Sequence, residues 1–291
     1  MADPRRLAGS SVLAGSCILI VAAGLAGPAS AAGTTAVLDA LQPHRAVYDM
    51  RLGDVEDGAN VRAITGRIVT EFSGSTCDGF STTFRFVSRI DDQSGGSRVT
   101  DLRTTSYETG DGTTFQFVTQ NYTDRKLAEE TKGVATREGD KMIVDLVKPS
   151  TRQVTLDGKA LFPTNHIAGV IGAAEEGRSI FEAPLYDGGD DGDKTTLTTA
   201  VIGKALAGDD VAGEDDAATV AKIGGGPRWP VRLSYFDMNA PQGEQTPMYE
   251  LSFLIYANGI TRRLELDYGE FTIIGKLASI EMLERQPCKS E

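Results

Sequence analysis

The sequence predicts a mainly β protein in which about a dozen or more antiparallel strands wrap into a single barrel or barrel-like sheet, accompanied by one helix. Three observations lead to this prediction. Apolar and polar residues alternate through most of the chain, short turn sequences separate the alternating runs, and one segment has helical periodicity instead. Strands joined by tight turns pair as antiparallel neighbours, and so many strands must curl or close because a long open sheet leaves unpaired edges.

The strands are clearest where the alternation is strict. In Thr83–Ile90 the aromatic residues share one face and the arginines occupy the other. Near the C-terminus, "YELSFLIYA" and "ITRRLELDY" flank Asn258-Gly259, a dipeptide that supplies the positive φ of a type I′ hairpin turn. Asp157-Gly158 is expected to join two strands in the same way. These runs favour an antiparallel meander.

One segment, "FPTNHIAGVIGAAEEG", predicts an amphipathic helix over roughly Thr164–Glu176. Its apolar residues recur with the spacing of one helix face: Ile167, Val170, Ile171 and Ala174. The helix either caps one end of the barrel or forms a lid over a cavity. His166, near its start, either faces the cavity as a polar anchor or is a surface or capping residue. Gly169 and Gly172 each cost about 1 kcal/mol relative to alanine, so packing must hold this helix together.

Residues 1–31 have the pattern of a secretory signal peptide. Arg5 and Arg6 precede an apolar run, and small residues in an A-x-A pattern close it at Ala31. An uncleaved membrane anchor is the alternative, but the apolar run is shorter than the roughly 18–20 residues that span a bilayer. The sequence therefore predicts an exported protein, residues 32–291, that forms one domain and has no membrane span after cleavage.

The composition is acidic. The full chain carries a net charge of -12, and removal of the signal peptide with Asp3, Arg5 and Arg6 makes it -13. Such a chain lacks the basic surface expected for binding nucleic acid or an anionic lipid surface. We therefore expect no nucleic-acid partner.

Acidic residues concentrate after residue 186. The stretch "DGGDDGD" offers carboxylates typical of a calcium loop: Asp187, Asp190, Asp191 and Asp193. It is not an EF-hand, because Thr198 stands where the bidentate glutamate belongs. A looser calcium loop and a plain polar turn between strands are the two interpretations left. Residues 207–222 are low in complexity and are expected to form a flexible acidic loop.

Cys77 and Cys288 are the cysteines that stay in the chain after removal of the signal peptide. Cys77 lies in the turn-rich stretch "GSTCDG", where a nucleophile, a metal ligand, a free thiol and a disulfide partner are all conceivable. Two cysteines without CxxC spacing make a poor zinc site, and export places them where disulfides persist. We predict a disulfide between them, worth on the order of 5 kcal/mol in the loop-entropy picture.

Motifs of catalysis are missing from the sequence, which has no G-x-S-x-G elbow, no H-E-x-x-H, no P-loop and no G-x-G-x-x-G. The two histidines are His44, expected to be structural, and His166. The sequence therefore predicts neither an enzyme nor a cofactor. A hydrolase acting on envelope polymers is the alternative from another class, because a pair of catalytic carboxylates is defined by distance in space rather than by spacing in sequence.

Several stretches resemble one family: "LQPHRAVYDMRL", "GRIVTEFSGSTCDGFSTTFRF", "DLRTTSYETGDGTTFQF", "FPTNH", "LYDGGDDGDKTT" and "YELSFLIYANGITRRLELDYGEF", together with the late Cys288. Over essentially the whole mature chain, the sequence is similar to the EipB family of cell-envelope integrity proteins of Gram-negative α-proteobacteria. No catalytic residue is carried over from this resemblance. Residues 207–222 are longer and more acidic than the usual pattern of the family.

The resemblance implies a periplasmic protein whose strands form a spiral-like open β-barrel with a helix at the central cavity. It also implies a disulfide at Cys77 and Cys288 and an envelope role linked to a periplasmic TPR-repeat protein. We therefore expect a non-enzymatic protein that supports envelope integrity by binding a partner protein, or an apolar or peptide ligand, in a helix-gated cavity. A lipid or lipoprotein carrier is the alternative within the binding class, since half-barrels with a helical lid recur in that role.

Overall fold

The computed structural model describes residues 30–189, 191–207, 217–238, 246–285 and 288, with side chains from residue 34 onward. Most of the predicted signal peptide, Asp190 and residues 208–216 of the predicted acidic loop lie outside the described residues. The elements come in this order: α1 (Ser30–Ala40), β1 (His44–Val55), β2 (Ala63–Ser75), β3 (Gly79–Asp91), β4 (Ser97–Glu108), β5 (Thr114–Thr123), β6 (Lys126–Glu138), β7 (Lys141–Lys148), β8 (Arg152–Asp157), α2 (Pro163–Glu175), β9 (Ile180–Leu185), β10 (Thr196–Ile202), α3 (Ala217–Ala221), β11 (Arg228–Asp237), β12 (Tyr249–Tyr256), β13 (Thr261–Asp267) and β14 (Phe271–Met282).

All of these strands belong to one 14-stranded sheet with the order β8-β7-β6-β5-β4-β3-β2-β1-β14-β13-β12-β11-β10-β9. The chain forms β1 to β8 as one antiparallel meander and β9 to β14 as a second, and the antiparallel pairing of β1 with β14 joins the two. The sheet does not close, because β8 and β9 are its two edges. The prediction of a mainly β, open barrel-like fold is confirmed.

One predicted hairpin is present and another is not. Gly259 has a φ of 83° between β12 and β13, so the hairpin predicted at Asn258-Gly259 is present. The predicted type I′ turn is wrong, because that turn needs a positive φ at both residues and Asn258 has none. Asp157-Gly158 does not join two strands: β8 ends at Asp157 and the chain continues into α2. No alternating run comes after this dipeptide, and the Gly158 N–H donates to the Asp140 carbonyl (2.9 Å) at the neighbouring turn instead.

The gap between the two sheet edges is bridged at a few points. The segment before α2 makes a short parallel bridge to β9, in which the Leu161 N–H donates to the Pro184 carbonyl (2.8 Å) and the Tyr186 N–H donates to the Leu161 carbonyl (2.9 Å). Arg152 of β8 forms an ion pair with Asp193, which precedes β10, at 2.8 Å. The sheet therefore wraps into a barrel-like shape with a seam.

Helix α2 is an internal element of this wrap. Val170 and Ile171, on the predicted apolar face, have no exposed surface, but neither do Ala168 and Ala173. These residues belong to a core that also contains apolar side chains of α1, β1, β2 and β10 to β14. A methyl group added at Gly169 would lie 2.6 Å from a ring atom of Phe181, so the glycine lets β9 pack closely. The helix is not an end cap with one side in solvent.

A smaller aromatic core lies beside the seam. Phe115 and Phe117 of β5 pack against Phe162 and Tyr186, with ring centroids 5.2 Å apart for Phe115 and Phe162 and 5.8 Å apart for Phe117 and Tyr186. Phe162 directly precedes α2 and Tyr186 directly follows β9. This core therefore attaches both sides of the seam to the same strand.

Candidate ligand-binding site

An apolar cavity of about 350 Å³ lies between α2 and the inner faces of β1, β2, β3, β12 and β13. We call it the apolar cavity. Its volume is within the range of small-molecule pockets. The apolar side chains in its wall come from all of these elements and from the segment after α1: Leu41, Tyr48, Ile68, Phe72, Phe84, Ile167, Leu251, Leu264 and Leu266.

The two largest polar groups in this wall already have partners. The Tyr48 hydroxyl donates to the Thr261 carbonyl (2.7 Å). The His44 Nδ1–H donates to the Gln42 carbonyl (2.7 Å), and burial lowers the pKa of His44, which keeps the imidazole neutral. A wall of this kind suits a hydrocarbon group or an apolar side chain, because a polar ligand would lose hydrogen bonds to water without replacing them.

A second, larger space of about 850 Å³ lies along the inner faces of β3 to β6; we call it the polar groove. Hydroxyl and amide side chains line much of it: Thr82, Thr104, Ser106, Thr119, Asn121 and Thr131. Its lining also includes more acidic than basic residues, with Glu129, Glu130, Asp187 and Asp191 against Lys194. The groove therefore presents hydrogen-bonding groups in a negative environment.

The apolar cavity and the polar groove meet at Thr82, which lines both. Thr82 pairs with Ser106 of β4, and Phe84 pairs with Thr104. From β3 to β4 the inner face of the sheet thus changes from aromatic to hydroxyl side chains. The interior therefore has an apolar part and a polar part that are adjacent at Thr82.

The residues predicted on the helix have different positions. Ile167 is half-buried and lines the apolar cavity. Val170, Ile171 and Ala174 pack in the main core instead. The helix therefore contributes one of its predicted apolar side chains to the cavity wall.

His166 points away from both spaces and toward β9 and β10. Its Nε2 lies 2.6 Å from the Thr198 hydroxyl, which itself donates to the Ala183 carbonyl (2.7 Å), so the Nε2–H is the donor to Thr198. The ring also makes an edge contact with Phe181 at 5.7 Å. Burial lowers the pKa of His166 from 6.5 to about 4, so the side chain is a neutral link between the helix and the sheet.

Glu108 at the end of β4 holds the first turn of α2, a role that the sequence does not indicate. Its carboxylate accepts the backbone N–H of Thr164 (2.7 Å) and of Asn165 (3.1 Å), two of the donors that a helix start leaves without internal partners. The Asn165 side chain donates to the same carboxylate. Burial raises the pKa of Glu108, and the hydrogen bonds act in the opposite direction. Glu108 lines neither the apolar cavity nor the polar groove.

The predicted partners Cys77 and Cys288 are joined by a disulfide, with their Cα atoms 5.6 Å apart. Cys77 lies in the turn between β2 and β3. Next to it the Thr76 hydroxyl donates to Asp39 of α1 (2.6 Å), and Arg285 donates to the carbonyls of Asp39 (3.1 Å) and Ala40 (2.7 Å). The disulfide therefore secures the end of the chain beside α1 and the β2–β3 turn.

The carboxylates of two of the four aspartates considered as calcium ligands make contacts within the protein. Asp193 pairs with Arg152, and the Asp187 carboxylate accepts the Gly189 N–H (2.8 Å). Asp191 lines the polar groove, and Asp190 lies outside the described residues. No arrangement of these carboxylates around a common point supports the calcium interpretation among the described residues.

The geometry defines a β-barrel-like protein: one open sheet wound around an internal helix, with an apolar cavity beside that helix. Comparison with known sequences identifies the family of the chain. The EipB-like family matches residues 35–284, and the chain belongs to this family.

One curated relative is 39% identical over 262 residues, which cover 90% of each chain. It is the cell envelope integrity protein EipB of Brucella abortus (strain 2308). A crystal structure of a β-barrel-like protein of the domain of unknown function DUF1849, also from Brucella abortus, is similar with a TM-score of 0.78 and 39% identity. That match covers 84% of this chain and 99% of the other.

In the described part of the chain, no helix has the length and apolar character needed to cross a bilayer.

Proposed function

We propose that this protein is a non-enzymatic periplasmic protein that supports cell-envelope integrity by binding an apolar group of a ligand or of a partner protein in the apolar cavity. The 39% identical relative bears the name of a cell envelope integrity protein, which supports the envelope role. The disulfide supports an oxidising compartment such as the periplasm, and residues 1–31 would direct export as a signal peptide.

The observation that carries the binding proposal is the preformed apolar cavity of about 350 Å³ with Ile167 of α2 in its wall. A buried apolar space costs the fold packing contacts, so it is expected to persist where a ligand fills it. A periplasmic TPR-repeat protein is the proposed partner, and an apolar peptide side chain could enter the cavity as well as a free ligand. Glu108, the buried carboxyl group with a raised pKa, faces α2 and lends no support to a hydrolase.

A lipid or lipoprotein carrier is a second candidate function. The observation that favours it is the same cavity, since nine of its fifteen lining residues are the aliphatic and aromatic side chains named above. In this case the chain would carry an acyl group between membranes rather than hold a partner protein. Native mass spectrometry of the protein isolated from the periplasm separates the two, because a carrier retains a lipid mass and a partner-binding protein does not.

The central test is a binding titration with N-phenyl-1-naphthylamine, an uncharged fluorophore that brightens in apolar surroundings. We expect saturable binding to the mature chain and a large loss of binding in Ile167→Trp, because the indole fills the cavity. Ile180→Trp is the matched control, since Ile180 on β9 is 59% exposed and lies outside the cavity. Thermal melts verify that each variant is folded. Equal binding by all three proteins, or no saturable binding by the wild type, would contradict the proposal.

A further inference from the structure

We propose that the apolar cavity and the polar groove form one continuous site for a single-chain amphiphile with a cationic head group, with the hydrocarbon chain in the cavity and the head group in the groove. This inference rests on the proposed function, because it uses the same cavity and adds the chemical class of the ligand.

The continuity of the site follows from Thr82. Thr82 is a lining residue of both spaces, so the two spaces are adjacent at this position. On one side of Thr82 lie Phe84 and the apolar cavity. On the other side lies its cross-strand partner Ser106, which lines the polar groove. A ligand that passes Thr82 therefore moves from apolar to hydroxyl side chains within one strand spacing, about 5 Å.

The size of the cavity limits the apolar part of the ligand. If a methylene group takes about as much space as a water molecule, about 30 Å³, then the cavity of about 350 Å³ holds one hydrocarbon chain of about ten carbons. A second chain of the same length would need as much space again. The cavity therefore suits an amphiphile with one chain rather than a two-chain phospholipid.

The charges of the polar groove select the head group. Four acidic residues and Lys194 are among its lining residues: Glu129, Glu130, Asp187 and Asp191. The Glu130 carboxylate accepts a hydrogen bond from the Gln120 amide (2.7 Å), and the other three contribute most of the negative charge. An anionic head group would meet like charges here, and the net charge of -12 on the whole chain would repel it during approach. A cationic head group finds complementary charges, and hydroxyl side chains such as Thr119, which lies 3.4 Å from the Thr104 hydroxyl, add polar surface to the wall.

The test uses three amphiphiles that share a decyl chain and differ in the head group: decyltrimethylammonium, decyl maltoside and decyl sulfate, each below its micelle concentration. Binding is measured by calorimetry and by displacement of N-phenyl-1-naphthylamine at fixed low ionic strength. We expect affinity to fall in the order cationic, uncharged, anionic. Shortening the chain should weaken binding by about fourfold per methylene, since each buried methylene contributes that factor.

The charge argument has a matched pair of double variants. Glu129→Gln/Asp191→Asn removes two carboxylates from the groove, and Glu138→Gln/Asp140→Asn removes two from the exposed β6–β7 turn. Both change the net charge equally. The groove variant should lose about threefold to tenfold in affinity for the cationic amphiphile and keep its affinity for the maltoside, as expected for two partly exposed charge pairs. The turn variant should behave like the wild type.

The junction has its own variant. Thr82→Phe should obstruct the passage, so that the decyl amphiphiles bind weakly while N-phenyl-1-naphthylamine still enters the apolar cavity. If the wild type binds this probe but shows equal or reversed affinities for the three head groups, the inference is overturned and the proposed function stands. The inference is also overturned if the turn variant loses as much affinity for the cationic amphiphile as the groove variant does, because the loss then reflects the overall charge of the protein. Failure of the probe itself to bind overturns both.

Discussion

Acidification should weaken the fold through His166, the neutral histidine that joins α2 to β10. Burial lowers its pKa from 6.5 to about 4 in the folded chain, so between these values the unfolded chain binds a proton that the folded chain does not. The free energy of unfolding therefore falls as the pH drops below 6.5. From the two pKa values, the loss is about 2 kcal/mol at pH 5 and about 3 kcal/mol once the pH is below 4.

The measurement compares the wild type with His166→Gln. The glutamine amide can donate to Thr198 as the Nε2–H does, but it does not titrate. Urea unfolding of the mature chain is monitored by circular dichroism at pH 7, 6 and 5. His44 is present in both proteins, so its own lowered pKa cancels in the difference. At pH 7 the variant should be less stable than the wild type, because glutamine packs less well beside Phe181.

The difference in free energy of unfolding between the wild type and His166→Gln should shrink by about 2 kcal/mol between pH 7 and pH 5. The wild type loses the stability linked to protonation of His166 over this range, and the variant has no histidine at this position to lose it. A difference that stays constant across the three pH values would refute the reasoning. It would mean that His166 is accessible to protons in the folded chain, and hence that α2 does not stay packed against β10.

Two further predictions concern the other links of the fold. Glu108→Ala should cost about 2–4 kcal/mol because the N–H groups of Thr164 and Asn165 lose their acceptor, and Glu108→Gln should cost less. Because burial raises the pKa of Glu108, the folded chain keeps the carboxyl proton over a pH range in which the unfolded chain has released it. The stability advantage of the wild type over Glu108→Gln is therefore largest at low pH and falls as the pH rises. Urea titrations in which this advantage grows with pH would contradict the prediction. Cys77→Ser and Cys288→Ser should each lower the free energy of unfolding by about 2–5 kcal/mol. The double variant should be no less stable than either single variant, since each substitution removes the same disulfide. A much less stable double variant would show that the two residues act independently.

Local patterns predict the strands with strict alternation, such as β3, β12 and β13, and they predict helix α2. Alternation and turn chemistry act between neighbouring residues, which is why β3 and the β12–β13 hairpin are recognisable in the sequence. The hairpin predicted at Asp157-Gly158 is wrong for the same reason: a turn dipeptide marks a bend, but the next segment decides whether a strand or a helix comes after it. Local patterns do not predict the pairing of β1 with β14, because these two strands lie near opposite ends of the sequence.

The site is less accessible to sequence reasoning than the fold. The helix periodicity points to Ile167, which lines the cavity, together with Val170 and Ile171, which fill the core. A single period cannot separate these roles, because α2 is surrounded by the sheet. Glu108 lies 56 residues from Thr164, whose N–H group it accepts, so its role depends on the fold. His44 is predicted to be structural, and its position in the cavity wall becomes visible only in the structure.

The place of β14 in the sheet order has a consequence for truncation. Although β14 is the last strand among the described residues, it lies in the interior of the sheet between β1 and β13. Shortening the chain from its C-terminus would therefore not trim an edge strand but would cut the sheet in two, exposing the pairing sides of both β1 and β13. A chain that is released early should accordingly be prone to aggregate or to be degraded. β1, the first strand of the first meander, has a neighbour on both sides only after β14 has been synthesised.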